Sequence, residues 1–444
     1  MNKFKFKYLY SILLVVLIVI FILPLTAMAA DIRPVLLEIK KAERFINRAV
    51  SEIKEAENEA RIFDSDRINR YLEKAGNYLE AAEKSYEDND DGAVRENTIR
   101  AIKLALKARV GTAESIPVQV RGFWLDSRTI AAAGGRTGLQ NLLDNARNAG
   151  FNLVLPEVFF KGKTIIPSNE LFVQDERFTG WEEDPLAVII EEASRRGMEV
   201  HAWVWVFNEN TRGQPGIILE EHPEWANKDR EGNIVTYHDS TWLSPAREEV
   251  RGFLVDRYIY LVDNYALDGI NLDYIRFPEE YRASYGFDDY TVSLFKKEYG
   301  LDPYGIKPGS SEAGEWNQFR EGLITGMVAY TSDILRKRDP DLLLSADVIP
   351  GREEARYRVL QDWGGWLDRG YIDFVLPMTY TDNLFDELSA WLREVDINSN
   401  HLLFPGISVF KLTPEQVVEQ VVEINEINPA GLSLFAAAHL EQEH

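Results

Sequence analysis

From Pro117 onward the chain alternates between short apolar runs and longer amphipathic segments. The apolar runs have the length of strands, and the segments between them place apolar residues at three- and four-residue steps, which is typical of helices. The predicted strands are Val120–Asp126, Phe151–Val158, Met198–Asn208, Leu267–Pro278, Leu342–Ile349, Ile372–Tyr380, Leu402–Phe410 and Gly431–Ala438. The predicted helices are Gly138–Ala149, Pro185–Arg196, Ala246–Tyr265, Trp316–Arg338, Leu384–Val395 and Pro414–Ile427.

Eight strands that alternate with helices predict an α/β fold for residues 116–444, a (β/α)8 TIM barrel. An open, doubly wound parallel sheet is the alternative arrangement of the same elements. No glycine-rich turn of the GxGxxG or GxxxxGK type follows any predicted strand, which weighs against the open sheet.

Residues 31–115 have a different pattern, with apolar positions at helical spacing and few strand-like runs. Asp64 to Asp66 provides a helix start, and the turn from Asp88 to Gly92 separates two helices. We expect a small all-α helical domain here, either a three-helix bundle or an antiparallel hairpin with an additional helix. Nothing in this segment indicates a specific ligand, so a spacer or packing role is the preferred interpretation.

Residues 1–30 have the pattern of a targeting segment. Three lysines, at positions 3, 5 and 7, precede an apolar run from Tyr8 to Leu23, and small residues follow Pro24. This predicts a cleaved signal peptide or, alternatively, an uncleaved membrane anchor. We therefore expect the mature chain to be extracytoplasmic, secreted or associated with the cell envelope, and to contact a membrane only through this segment.

Composition narrows the chemistry that the chain can perform. The formal net charge is −23, and the excess of acidic residues lies almost entirely after residue 115, which argues against nucleic acid as a partner. The chain has no cysteine, so thiol catalysis and disulfides are excluded. Its six histidines show no HxxH, HxxxH or HExxH spacing, so we expect no helical zinc site. The acidic residues form no metal-binding motif, so no metal site is predicted, and no organic cofactor is implied.

The fourth predicted strand, LDGINLDYIRFP, carries an unusual polar face. Period-2 alternation places Gly269, Asn271 and Asp273 on one side and Ile270, Leu272 and Tyr274 on the other. Pro278 cannot donate to a sheet ladder, so we expect the strand to end there. A polar face ending in a carboxylate indicates a site that uses the carboxylate.

Other predicted strands also end in acidic and aromatic residues. Glu157 and Asp347 end the second and fifth strands, and the aromatic or polar residues near other ends are Trp124, His201, Trp205, Met378 and Tyr380. The carboxyl ends of barrel strands form one face, so we expect these side chains to meet there. Paired carboxylates perform glycoside cleavage, and aromatic rings stack on sugar rings. Core filling remains open for one of Trp203 and Trp205, and an interior role for His201.

The same stretches resemble the bacterial glycoside-hydrolase-like family 10. Leu267–Pro278 is similar to its DGIxxDYIRYP signature, and Val120–Trp124 is similar to its opening RGxW strand. Further similar stretches are Phe151–Ser168, His222–Trp225, Trp242–Pro245 and Pro377–Tyr380. The resemblance covers most of 117–440 and implies a TIM-barrel glycosidase of the cell envelope, in a family related to enzymes that act on peptidoglycan glycan or other extracellular polysaccharides.

A weaker likeness to family 18 chitinases concerns the fourth and sixth strands. Met378 and Tyr380 fit the MxY motif of that family, but Ile275 stands where those enzymes have their acidic glutamate. The resemblance therefore leaves an N-acetylated glycan open as the substrate and puts the chitinase mechanism in doubt.

We expect Asp273 to be the nucleophile or essential base of a secreted glycoside hydrolase. The second carboxylate is either Asp347 or Glu157, with Asp347 preferred as general acid because it lies on the adjacent strand. Arg276 is expected to orient Asp273 or to hold a substrate anion. The expected partner is a polysaccharide, contacted by Trp124, His201, Trp205, Asn271, Arg276, Met378 and Tyr380. Two alternatives are a barrel that binds glycan without cleaving it and a metal-dependent deacetylase or esterase.

Overall fold

The computed structural model describes residues 35–58, 65–110, 120–236, 238–279, 284–382, 391, 403–425 and 429–437. The chain divides into two compact units, Met1–Ala113 and Glu114–His444. The predicted targeting segment, residues 1–30, lies outside the described residues. No helix in the described ranges is both long enough and apolar enough to span a membrane.

The first unit contains three described helices: α1 (Val35–Asn58), α2 (Ser65–Glu87) and α3 (Asp91–Val110). One face of α1 is buried at three- and four-residue steps, as an amphipathic helix requires. The guanidinium of Arg109, on α3, is buried and donates to both carboxylate oxygens of Glu52, on α1, at 2.7 and 2.9 Å. This charge-assisted pair joins the two helices.

The second unit contains the twelve described strands. They are β1 (Val120–Leu125), β2 (Leu153–Phe160), β3 (Lys163–Thr164), β4 (Val173–Gln174), β5 (Glu199–Trp205), β6 (Asn208–Asn210), β7 (Thr241–Trp242), β8 (Gly269–Asp273), β9 (Leu343–Val348), β10 (Phe374–Pro377), β11 (Gly406–Ser408) and β12 (Gly431–Phe435). Its described helices are α4 (Ser127–Ala133), α5 (Arg136–Asn148), α6 (Pro185–Arg195), α7 (Ile217–Glu221), α8 (Glu248–Asn264), α9 (Asp289–Tyr299), α10 (Ser311–Arg338), α11 (Arg352–Val359), α12 (Trp363–Asp368) and α13 (Pro414–Asn425).

Eight parallel strands form the barrel, in the order β10-β9-β8-β5-β2-β1-β12-β11. Two parallel bridges, Val375–Leu403 and Met378–Gly406, join the two ends of this order and nearly close the barrel. The predicted (β/α)8 fold is therefore confirmed. The predicted helix Leu384–Val395 lies outside the described residues except for position 391.

The prediction for the fourth barrel strand was wrong at its end. The strand β8 stops at Asp273 rather than continuing to Pro278, because Tyr274 has a φ of 53°, in the left-handed region. A residue with a positive φ interrupts the side-to-side alternation of an extended strand. The chain therefore turns directly after Asp273, and the ring of Tyr274 lines the cleft beside Asp273, although period-2 alternation predicted opposite faces.

The interior of the barrel is filled by large side chains below its carboxyl end. Trp124, Leu153, Leu155, Trp203, Phe374, Leu376 and Phe404 form this inner cluster. Gly269 leaves room for the neighbouring imidazole, since a Cβ at this position would lie 2.6 Å from Nδ1 of His201 and 2.7 Å from the carbonyl oxygen of Leu343. The barrel is thus a packed core that supports the face above it.

Candidate active site

The three predicted carboxyl side chains line one cleft at the carboxyl ends of the strands. Asp273 is the last residue of β8, and Asp347 and Glu157 lie near the ends of β9 and β2. The cleft has a volume of about 860 Å³. Five further predicted site residues line it: Trp124, Trp205, Arg276, Met378 and Tyr380. The structure therefore brings together eight of the ten side chains that were predicted from the sequence.

Asp273 and Asp347 are neighbours across two paired strands. The register pairs Leu272 with Ala346, so the next residue of each strand lies at the same level. Asp273 accepts a hydrogen bond from Nε1 of Trp203 at 3.0 Å and another from the backbone N–H of Tyr274 at 2.7 Å. Both its carboxylate oxygens are thus held by donors, which fixes its orientation and favours its charged form.

Asp347 is held in a similar way but by different residues. Its two oxygens accept from Nε1 of Trp124 at 3.2 Å and from Nδ2 of Asn271 at 3.1 Å. Burial raises the pKa of Asp347 well above its usual range, and the charge of Asp273 raises it further. Two adjacent buried carboxylates cannot both ionise easily, so one of them retains its proton near neutral pH.

Asp273 is the member of this pair that ionises first. Burial raises its pKa to about 6, while the hydrogen bond from Trp203, the charge of Arg276 and the Tyr274 N–H act in the opposite direction. Near neutral pH this arrangement therefore combines an anionic Asp273 with a protonated Asp347. An oriented anion at the floor of a cleft can act as a nucleophile or as a general base.

Glu157 has a different environment, although it faces the same cleft. Its side chain is only 6% exposed, and one oxygen accepts a hydrogen bond from the backbone N–H of Ser127 at 2.9 Å. Asp126 caps the start of α4, accepting from the backbone N–H groups of residues 128 and 129, and so positions Ser127. Burial raises the pKa of Glu157 to about 7, the hydroxyl and the N–H of Ser127 act in the opposite direction, and the charges of Asp126 and Asp273 add a smaller increase. Such a carboxyl can donate a proton near neutral pH.

Aromatic rings form the walls of the cleft. The rings of Trp205 and Tyr274 contact each other with centroids 4.7 Å apart, and Tyr380 stacks on Phe435 at 5.3 Å. The guanidinium of Arg276 lies 5.2 Å from the ring centroid of Trp242 and 5.3 Å from that of Tyr274. Walls of this kind match the apolar faces of sugar rings.

Two of the ten predicted residues lie below the cleft rather than in its lining. The side chain of His201 is 1% exposed, and the register places it opposite Gly269, four residues before Asp273. At strand spacing this is roughly 13 Å from the level of Asp273 along the strand direction. A sugar in the cleft does not reach it, so the predicted contact of His201 with substrate does not fit the structure.

Asn271 also lies under the floor of the cleft. It is fully buried, and its amide donates to Asp347 and to the hydroxyl of Ser345. Its position makes it a positioning residue for Asp347 rather than the sugar contact that was predicted. The alternation of the strand indicated the correct face for Asn271, but it carried no information about depth.

The sequence analysis did not identify several residues that belong to the cleft. Trp203, for which core filling was left open, fills the barrel interior and also donates to Asp273, a role that was not predicted. Ser127 contributes a backbone N–H, for which a sequence carries no signal. Arg128, Lys161 and Arg212 line the cleft from three separate connections. Among the described residues no group of three or more His, Asp or Glu side chains could hold a metal ion.

Comparison with known proteins gives one family. A family model described as "Glycosyl hydrolase-like 10" matches residues 119–422. "Glycosyl hydrolase DigH" of Escherichia coli (strain K12) is 25% identical over 320 residues, covering 64% of this chain and 68% of that protein. "Glycosyl hydrolase YngK" of Bacillus subtilis (strain 168) is 21% identical over 341 residues, covering 67% of this chain and 62% of that protein.

Among solved structures, "Alpha-L-fucosidase isoenzyme 2 from Paenibacillus thiaminolyticus" has a similar fold. The TM-score is 0.51 at 15% sequence identity, and the match covers 71% of this chain and 46% of that one. At this identity the likeness concerns the fold alone.

Proposed function

We propose that this chain, which belongs to the glycosyl hydrolase-like 10 family, is a glycoside hydrolase that cleaves a cell-wall or other extracellular polysaccharide. The observation that carries the proposal is one cleft holding two buried carboxyl groups in different environments, Asp273 with a pKa of about 6 and Glu157 with a pKa of about 7. Glycosidases need one ionised and one protonated carboxyl group flanking the scissile bond.

Asp273 is the nucleophile or general base in this proposal. Its two oxygens are fixed by Trp203 and by the N–H of Tyr274, and both donors stabilise the anion. As a nucleophile it attacks the anomeric carbon, and as a base it takes a proton from the attacking water. Either role requires the ionised form, which dominates above a pH of about 6.

Glu157 is the general acid, which reverses the preference for Asp347 that the sequence indicated. Both oxygens of Asp347 already accept hydrogen bonds, from Trp124 and Asn271, and its proton is held by the adjacent charge of Asp273. Glu157 accepts hydrogen bonds from one residue, Ser127, and its carboxyl lines the open cleft. It can therefore protonate a leaving oxygen and recover the proton from water.

The polysaccharide contacts follow from the cleft walls. Trp205, Tyr274 and Tyr380 offer ring faces for sugars, and Met378 and Trp124 complete the apolar lining. The pattern of residues 1–30 supports an extracytoplasmic location, where envelope polysaccharides are available. Peptidoglycan glycan, or another N-acetylated glycan, is the substrate that we place first.

The proposal is tested by incubating the purified full chain with peptidoglycan glycan and a panel of polysaccharides, and by counting new reducing ends. We expect time-dependent release from at least one glycan, proportional to the protein concentration. The matched control is Asp333→Asn, an exposed aspartate on α10 that pairs with Lys337. This variant should retain full release, because it changes an aspartate to asparagine far from the cleft, as Asp273→Asn does within it.

A glycan that binds the protein without release of reducing ends contradicts the proposal and supports the alternative of a non-catalytic binding barrel. Loss of acetyl or other ester groups without chain cleavage supports the deacetylase or esterase alternative. Both outcomes are measured on the same reaction mixtures, by product mass and by glycan binding.

A further inference from the structure

One residue that lines the cleft has a backbone conformation that its side chain disfavours. Tyr274 has a φ of 53°, in the left-handed region, where the Cβ of a residue lies too close to its own backbone. Glycine adopts this region freely, and asparagine and aspartate tolerate it better than the other residue types. Among the described residues, the non-glycine residues with a positive φ are Asn89, Lys161, Asp239, Tyr274 and Leu360.

The other members of this group have a local reason for the conformation. Asn89 and Asp239 are tolerant residue types, and Lys161 lies in the two-residue turn between β2 and β3. Leu360 ends helix α11, where a left-handed residue is common. Tyr274 follows strand β8 directly and belongs neither to a helix end nor to a hairpin turn. Because strained residues cluster at functional sites, a functional reason is expected in the cleft.

The left-handed conformation decides where the N–H of Tyr274 points. In an extended strand the N–H groups lie in the plane of the sheet, and the side chains stand roughly perpendicular to it. An extended Tyr274 would therefore direct its N–H away from the carboxylate of Asp273. The observed turn brings the N–H to 2.7 Å from that carboxylate. The carbonyl oxygens of both residues accept from the connection after β5, that of Asp273 from Val206 at 2.9 Å and that of Tyr274 from Phe207 at 3.4 Å.

Three side chains hold the ring of Tyr274 in this position. Its ring centroid lies 4.7 Å from that of Trp205 and 5.7 Å from that of Trp242. The guanidinium of Arg276 lies 5.3 Å from the same centroid. A strained conformation persists only where the surrounding structure fixes it, and these ring and cation–π contacts offset its cost. The contacts of the ring therefore hold the backbone, and the backbone holds Asp273.

We propose that Tyr274 is a positioning residue for Asp273, because its left-handed backbone, fixed by the contacts of its ring, keeps an N–H on the carboxylate. The inference rests on the proposed function for the role of Asp273, and it adds the residue that prepares Asp273 for that role. Burial raises the pKa of Asp273 to about 6, and the N–H of Tyr274 is one of the groups that act in the opposite direction. If this N–H turned away, the ionised form would lose a donor and the pKa would rise.

The test compares four variants of the full chain: Tyr274→Gly, Tyr274→Asn, Tyr274→Ala and Tyr274→Val. All four lack the ring, so the loss of a cleft wall is common to them. They differ in how well they tolerate a positive φ, which glycine and asparagine adopt readily, alanine less so, and the β-branched valine least. We expect the pKa of Asp273 to be lowest in the glycine and asparagine variants, higher in the alanine variant, and about one pH unit higher in the valine variant. An order set by side-chain size would instead place asparagine beside valine.

Carbon-13 NMR of protein labelled at the aspartate carboxyl groups measures the pKa without any turnover. The signal of Asp273 is the one that Asp273→Asn lacks. Where the valine variant does not fold, the comparison of Tyr274→Asn with Tyr274→Ala decides the outcome. The matched control is Asn89→Ala, which changes an asparagine to alanine at a left-handed position outside the cleft lining. It should leave the pKa of Asp273 unchanged.

Equal pKa values of Asp273 in the folded variants, or values that follow side-chain size, overturn the inference. These outcomes are separate from the fate of the proposed function. A chain that cleaves glycan and shows the same pKa in all variants remains a hydrolase, and Tyr274 is then only a cleft wall. A chain that shows the expected order and cleaves nothing keeps Tyr274 as the positioning residue of Asp273 and loses the hydrolase.

Discussion

Two levels of the barrel interior contrast with each other, although the same strands build both. At the lower level the inward side chains of β2 and β5 include Leu155 and His201, which pack with Phe374 and other large groups. Two residues further along the same face of β2, Glu157 reaches the cleft, and on the neighbouring β8 Asp273 reaches it two residues after the buried Asn271. Along one strand, the inward-facing residues therefore change from residues that pack in the core to residues that line the cleft within one or two steps of alternation.

The two levels also differ in what they contribute to stability. The lower level is apolar and closely packed, and its burial stabilises the fold. The upper level buries carboxyl groups, which costs free energy that hydrogen bonds from Trp203, Trp124 and Asn271 offset only in part. The raised pKa values of Glu157 and Asp273 record that remaining cost. If this contrast is correct, substitutions at the upper level should change activity, and substitutions at the lower level should change stability.

The largest effect is expected for Asp273→Asn. This change removes the charge and nearly retains the shape, so turnover should fall on the order of 10³-fold or more while glycan binding persists. Kinetics on the glycan that is cleaved most rapidly, together with equilibrium binding, measure the two quantities. A variant that turns over at near wild-type rate would remove Asp273 from the mechanism.

Glu157→Gln should lower turnover by roughly 10²- to 10⁴-fold, as loss of a general acid does. The loss should be smaller for an aryl glycoside of the same sugar, whose leaving group needs no protonation. The wild-type protein should show a bell-shaped pH profile. Activity should fall below a pH of about 6 as Asp273 gains a proton, and above a pH of about 7 as Glu157 loses one.

In the Glu157→Gln variant the alkaline limb of that profile should disappear, because no acid remains to be deprotonated, while the acidic limb stays. If the alkaline limb is retained, another group is the acid, and Asp347→Asn becomes the decisive variant. Asp333→Asn serves again as the unaffected control.

Gly269→Ala tests the lower level. The added methyl group would lie 2.6 Å from the His201 ring and 2.7 Å from a backbone oxygen, so unfolding free energy should fall by about 1–3 kcal/mol. Gly314→Ala, in the exposed part of α10 with no atom near its Cβ, should instead raise it by up to about 1 kcal/mol. Denaturant unfolding measures both. Equal changes in the two variants would show that the lower level is not closely packed.

The smallest effect is expected for Trp203→Phe, which keeps a ring at this position and removes the N–H that donates to Asp273. Loss of a donor to the charged form raises the pKa, so the acidic limb of the pH profile should move upward by about one unit. Trp124→Phe removes the donor to Asp347 instead and should leave that limb in place. Identical profiles for the two variants would contradict the separate roles of Asp273 and Asp347.

The sequence predicted the fold class, because strand length and helical spacing are local properties that recur eight times. It also predicted that Glu157, Asp273 and Asp347 lie on one face, because the carboxyl ends of the barrel strands form one face. The depth of a residue along the barrel depends on the register between strands, and the sequence of a single strand does not determine that register. His201 and Asn271 were predicted at the wrong depth for this reason. The position of Tyr274 depends on one backbone angle, which a tyrosine rarely adopts.

The residues that line the cleft from the connections illustrate a further kind of limit. Arg128, Lys161 and Arg212 lie on three connections separated by many residues, and no periodicity relates them. Only the closed barrel brings these connections around one cleft.

The most direct test of a hydrolase with Asp273 at its centre is isotope incorporation. The full chain is incubated with the cleaved glycan in water enriched in ¹⁸O, and the products are examined by mass spectrometry. We expect each new reducing end to carry one heavy oxygen, and we expect Asp273→Asn to produce almost none of these fragments. Fragments that contain no heavy oxygen, or fragments that the Asp273→Asn variant forms at the wild-type rate, would contradict the account.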